Sequence, residues 1–137
     1  MCIRDSSYTH ERLVKLAAVP SLPSRLEIIY VDDGSQDETP VLLDHIQANA
    51  AGTVDIKVIH FARNFGHSAA VTAGLTESTG DLITIIDADL QDPPELVPEM
   101  VALIKRGWDV VYGQRTARLG ETRLKRLTAW FLSLIHI

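Results

Sequence analysis

The chain has 137 residues, 13 Lys and Arg against 18 Asp and Glu, a net charge of -5 and 46% hydrophobic residues. That balance suits one α/β domain or part of one and carries no basic excess to suggest a nucleic-acid partner. No uninterrupted apolar run is long enough to span a bilayer, and Cys2, the only cysteine, excludes both a disulfide framework and a cysteine-based zinc site.

Taken in order, helical spacing at Leu13, Leu16 and Ala17 predicts a helix over Tyr8 to Ala18, followed by a Pro20 to Pro23 loop. Leu26 to Val31 reads as a strand that ends in Asp32-Asp33-Gly34-Ser35. Thr39 and Pro40 suit the N-cap and first position of a helix running to about Ala48, with Gly52 beyond it as a stop. Val54 to Phe61 alternates as a second strand. A loop from Arg63 follows, in which Gly66 supplies backbone freedom. Small residues at Ala69, Ala70, Ala73 and Gly74 then let the next helix pack closely on a sheet. Arg63 is either a phosphate contact or a solvated strand-end residue, and His67 reads better as a helix-start polar residue than as a base.

Leu82 to Ile86 is short, β-branched and flanked by turn signals, as expected of a strand buried on both faces of a largely parallel sheet. It stops at Asp87-Ala-Asp-Leu-Gln-Asp-Pro-Pro-Glu95. At the C-terminal edge of such a sheet, where ligands bind, Asp87 and Asp89 can direct both carboxylates at one hard cation, Mg²⁺ or Mn²⁺. Acidic turn residues are the other reading, and spacing does not decide between them. Asp92 as N-cap, Pro93 at the first position and Glu95 at N3 complete a capping-box variant. The helix that follows carries Leu96, Met100, Leu103 and Ile104 and stops at Gly107, and Asp109 to Tyr112 is expected to be a last short strand. This recurrence of strand and helix argues for a Rossmann-like layered sheet.

From Gly113 to Phe131 the character changes. Arg115, Arg118, Arg123, Lys125 and Arg126 face a single acid, Glu121, and the segment ends in Leu127, Ala129, Trp130 and Phe131. Basic residues beside an aromatic tip suit an anionic membrane surface; a solvated basic helix is the other reading.

The termini read as foreign to the domain. Met-Cys-Ile-Arg-Asp-Ser can be encoded by ATGTGTATAAGAGACAG plus one base, and Leu-Ser-Leu-Ile-His-Ile by that string's reverse complement, CTGTCTCTTATACACAT, likewise extended. Residues 1–6 and 132–137 are therefore expected to be translated sequencing adapter, leaving residues 7–131 as the domain.

Four segments together carry a resemblance: Glu27-Ile-Ile-Tyr-Val-Asp-Asp-Gly-Ser-Gln-Asp-Glu-Thr39, Arg63-Asn-Phe-Gly-His67, Asp87-Ala-Asp-Leu-Gln-Asp-Pro-Pro-Glu95 and Gly113-Gln-Arg115. In this order and spacing they resemble the family 2 glycosyltransferases of GT-A fold. The subgroup they look most like is the polyprenyl-phosphate sugar transferases, such as dolichyl-phosphate mannose synthase and the bacterial undecaprenyl-phosphate glycosyltransferases. The resemblance implies a mainly parallel sheet flanked by helices, truncated at both ends, because the family's opening strand with its Pro-x-Tyr-Asn-Glu type motif and its later acceptor-side part are not in the sequence.

It also implies roles. Val31, Asp33, Asp87, Ala88 and Asp89 would contact a nucleotide-sugar donor. Asp87, Asp89 and Gln91 would hold Mg²⁺ or Mn²⁺, and Arg115, Arg123 and Lys125 would meet the phosphate of a polyprenyl-phosphate acceptor. Asp87, Asp89 and Arg115 are the expected catalytic residues, the outcome is inversion, and the parent protein belongs at the cytoplasmic face of a membrane, the bacterial inner membrane. The chain alone is expected to be inactive. A processive polysaccharide synthase of the same family is the nearer rival reading. A Mg²⁺-binding, receiver-like signalling domain is the more distant one, disfavoured because Gln114 and Arg115 stand where a receiver carries Lys. Codons at the two termini of the source DNA unlike those quoted would overturn the adapter assignment.

Overall fold

The computed structural model describes residues 3–23, 25–50, 52, 54–88 and 92–114, residues 3–6 by backbone alone. Its elements are α1 (Ile3–Leu16), β1 (Leu26–Asp32), α2 (Thr39–Ala48), β2 (Val54–His60), α3 (His67–Glu77) and α4 (Val97–Ile104), the last entered through a 3₁₀ turn, Pro94–Leu96. Strands β1 and β2 pair in parallel, from Leu26 opposite Val54 to Asp32 opposite His60. The α2 crossover returns the chain to the same end of the sheet, as a parallel pair requires.

Side chains alternate across a strand, so β1 divides its contacts between two layers. Ile28, Tyr30 and Asp32 share one face, where α1 reaches Tyr30 through His10 (Nδ1 to the hydroxyl, 2.9 Å) and α2 reaches Asp32 by way of His60. Glu27, Ile29 and Val31 share the other face, which α3 covers. Gly74 of α3 is where contact is closest: a Cβ there would stand 3.5 Å from Val31 Cγ2. Glu27 accepts the Thr79 N–H at 2.9 Å, and Lys57 bridges Glu27 and the Glu77 carbonyl, also at 2.9 Å each, fastening the far end of α3 to the sheet. The result is α/β, a parallel sheet flanked by helices, as the sequence pattern implies.

Leu43 of α2 is fully buried, and a second core gathers Leu16, Val97 and Val101 with Leu13, Val19, Leu22, Leu26 and Ile86 around it. Arg12 forks onto Glu95, Nε to Oε1 at 2.8 Å and Nη2 to Oε2, and so ties α1 to the 3₁₀ turn. That hydrogen-bonded pair pulls the Glu95 carboxyl down to about 2.

Four expectations need correction. Leu82 to Ile86 is not a strand: no described residue pairs with its backbone, and Leu82, Ile83 and Ile85 are 43%, 52% and 58% exposed, only Ile86 reaching the core. Asp109 to Tyr112 makes no ladder with a described residue either, and Val110 and Tyr112 are exposed. Apolar β-branched sequence creates the propensity, but a strand exists only through a backbone partner. Asp92 is not the N-cap; Pro93 is. Pro93 precedes another proline, which drives it to an extended conformation (φ -70°, ψ 121°), so Pro94 takes the first helical position and Glu95 is left to Arg12. Thr39 is the first residue of α2 rather than its cap, its N–H received by the Asp37 carboxylate at 2.9 Å.

Truncating the fully buried Leu43 to Ala should lower stability by about 2–5 kcal/mol through lost burial and a residual cavity. Urea unfolding with an unchanged m-value would show it.

Candidate functional site

The C-terminal ends of β1 and β2 lie side by side and are joined by two adjacent carboxylates that point opposite ways, as period-2 geometry requires. Asp33 reaches across to the β2–α3 loop, accepting the N–H of Phe65 at 2.6 Å and of Gly66 at 2.9 Å. Gly34 makes this approach possible. Its φ is +74°, and a Cβ would fall 2.5 Å from the Arg63 carbonyl carbon and 2.7 Å from the Asn64 nitrogen, so a side chain here would displace backbone. Gly66, at φ 94°, turns the loop into α3, as its position in the sequence leads one to expect. On the outer side of the loop the Arg63 guanidinium lies 4.3 Å above the Phe65 ring, whose edge meets Phe61 at 5.5 Å between centroids. Arg63 is exposed and stacks on an aromatic face.

Asp32 points inward and is 2% exposed. Its carboxylate accepts the Ser35 N–H at 3.2 Å, closing the turn, and faces His60 Nδ1 at 3.2 Å, while the other ring nitrogen faces Asp44 of α2 at 2.9 Å. Burial pushes the Asp32 carboxyl up, but hydrogen bonds from Ser35 and His60 outweigh it and hold the group below its usual range. The Asp44 hydrogen bond is the largest influence and raises His60; burial opposes it, and the bond to Asp32 adds to the rise. Sequence reasoning missed this Asp32–His60–Asp44 bridge. The available signal was a histidine closing the otherwise apolar end of β2, directly opposite an aspartate in a parallel register.

Of the residues expected at the site, Val31 lies at the end of β1 against α3 and Asp33 sits in the turn beyond it. Asp87 is exposed and Ala88 half-buried, at the end of the extended run, and no described residue pairs with the Asp87 carboxylate or links it to Asp33. Asp89, Gln91, Arg115, Arg123 and Lys125 lie outside the described residues. Among the described residues no three His, Cys, Asp or Glu converge on a metal position. No described helix is long and apolar enough to cross a membrane. The basic segment expected to meet a membrane surface lies almost wholly outside the described residues.

The model of the glycosyl transferase family 2 matches residues 5–136. The chain is 43% identical over 122 residues to the uncharacterized glycosyltransferase YkcC of Bacillus subtilis (strain 168), covering 88% of this chain and 36% of that protein. It is 41% identical over 113 residues to the bactoprenol glucosyl transferase of Shigella phage SfX, covering 82% and 36% respectively. It is also 42% identical over 110 residues to the prophage bactoprenol glucosyl transferase homolog of Escherichia coli (strain K12), covering 80% and 35%. The chain thus spans about a third of the length of the curated relatives it matches.

Gly34→Ala should destabilise the fold by more than about 1 kcal/mol, because alanine disfavours this φ and its methyl meets the Arg63–Asn64 peptide. Amide exchange should rise at Phe65 and Gly66 beyond the change seen across β1. Uniform exchange would show that no clasp exists there.

Proposed function

The chain belongs to glycosyl transferase family 2, and from that premise we propose that the protein transfers a sugar from a nucleotide-sugar donor to a polyprenyl-phosphate lipid, with inversion at the anomeric carbon. The observation that carries this reading is similarity over about four fifths of the chain to proteins named bactoprenol glucosyl transferases. The geometry agrees with it: the Asp33 turn and the Phe65–Gly66 loop occupy the carboxyl ends of parallel strands, the edge at which open α/β sheets take ligands. Family membership also favours an enzyme over a receiver-like signalling domain.

In this reading Val31, Asp33 and Ala88 line the nucleoside side of the donor. Asp33 can do so while clasping the loop, since each carboxylate oxygen keeps acceptor capacity beyond the one amide it receives. Asp87, with Asp89 and Gln91, would hold Mg²⁺ or Mn²⁺. The donor set fits a hard cation, because these side chains offer oxygen ligands and the exposed Asp87 carboxylate has no described partner to compete for it. Such a cation supplies Lewis-acid neutralisation of a diphosphate leaving group. Arg115, Arg123 and Lys125 steer and neutralise the acceptor phosphate, which arrives ionised and needs no strong general base to attack. The basic run around them lies along an anionic membrane surface, at the cytoplasmic face in the parent protein.

The test is transfer of labelled sugar from a nucleotide-sugar panel to undecaprenyl phosphate by the full-length protein in membranes. Activity should require a divalent cation and be lost in EDTA, and Asp87→Asn should lower kcat by about 10²-fold or more, the scale on which loss of an electrostatic group registers. A lipid-linked monosaccharide supports the proposal, whereas a growing polymer would assign the protein to the processive synthases. The 137-residue chain alone should form no product.

A further inference from the structure

The His60 bridge joins three elements at the same sheet edge. Its ring lies between the buried Asp32 of β1 and the exposed Asp44 of α2, whose side chains are 3% and 65% exposed. Among the described residues these two acids are the charged groups that act on the ring. An ionised carboxylate only accepts hydrogen bonds, whereas a neutral imidazole has one N–H and one lone pair. With a carboxylate oxygen 3.2 Å from Nδ1 and 2.9 Å from Nε2, both nitrogens are matched only when both carry protons.

We propose that His60 is a positioning residue for the donor edge: as an imidazolium it binds Asp32 and Asp44 together, fixes the Asp32–Ser35 turn against α2, and so keeps Asp33 seated on the Phe65 and Gly66 amides. The chain of contacts is short. Asp32 holds Ser35 N–H, Gly34 lies between them pressed on the Arg63–Asn64 peptide, and the neighbouring Asp33 closes on the loop. When the ring loses a proton, the remaining N–H stays with Asp32, which is buried and has no water to replace it. The Asp44 arm is exposed, so it is the arm that lets go, and α2 loses its hold on the strand ends.

The sign follows from the raised proton affinity of the ring. The stabilising contribution is complete below the ordinary imidazole value of 6.5 and is lost as pH rises through the higher value that His60 has in the folded chain. The donor part of the proposal rests on the function proposed above; the coupling between His60 and the loop does not.

The test is a pH titration of the isotope-labelled 137-residue chain by NMR. His60 should titrate above 6.5, with the Phe65 and Gly66 amide shifts following the same midpoint. Asp44→Asn, a change at an exposed position, should lower that midpoint and leave the thermal transition cooperative. His60→Gln, which keeps one donor but cannot titrate, should abolish the pH response of both amides. Amides that ignore the His60 transition, or a midpoint unmoved in Asp44→Asn, would overturn the proposal. On the same samples, affinity for UDP or GDP with Mg²⁺ should fall several-fold across the His60 midpoint in the wild-type chain and stay flat in His60→Gln. Tracking amides with nucleotide affinity that is absent or indifferent to pH would overturn the link to the donor while leaving the coupling intact.

Discussion

The whole edge depends on one close approach, that of the Asp33–Gly34 turn to the Arg63–Gly66 loop. Two backbone amides at the start of α3 would otherwise need water or a ligand, and a carboxylate from the neighbouring strand end satisfies both. This is possible only because residue 34 has no Cβ and adopts a positive φ, which brings backbone against backbone. The parallel register sets the strand ends level, Gly74 lets α3 settle on Val31, and the clasp then fixes where α3 begins. A turn whose polar groups are already satisfied is held in place by its own contacts, the condition that precise placement of any ligand requires.

Asp32 and Asp33 divide the labour by parity. Consecutive residues of an extended chain face opposite layers, so one carboxylate is committed to the α2 side and the other to the α3 side. The inner one is buried and tolerates its charge only through Ser35 and His60. The outer one is half-buried and retains acceptor capacity for a ligand.

Local signals in the sequence were sufficient for α2, β1, β2 and the start of α3, where Pro40, the two apolar runs and Gly66 each impose a backbone state. They misjudged Leu82 to Ile86 and Asp109 to Tyr112, because strand propensity says nothing of which segment supplies the partner. Pro93 was misplaced for a different reason: a proline suits a helix start, but the proline that follows it disfavours the helical region, and Pro93 is extended. Asp33 stood out in the sequence through its motif, yet its bond to the loop did not, since no one-dimensional spacing relates residue 33 to residues 65 and 66. Nor does spacing expose His60, which matters only through residues that are distant in sequence and adjacent in the register.

The central claim is that the donor lies against the clasped turn at the carboxyl ends of β1 and β2, beside Asp87. Paramagnetic broadening by Mn²⁺ with a nucleoside diphosphate, read on the assigned amide spectrum, tests it most directly. Broadening should concentrate at Asp33, Phe65, Gly66, Asp87 and Ala88 and spare the opposite end of the sheet near Asp55 and Glu77. Broadening centred on Asp55 and Glu77, or spread evenly over the chain, would contradict it.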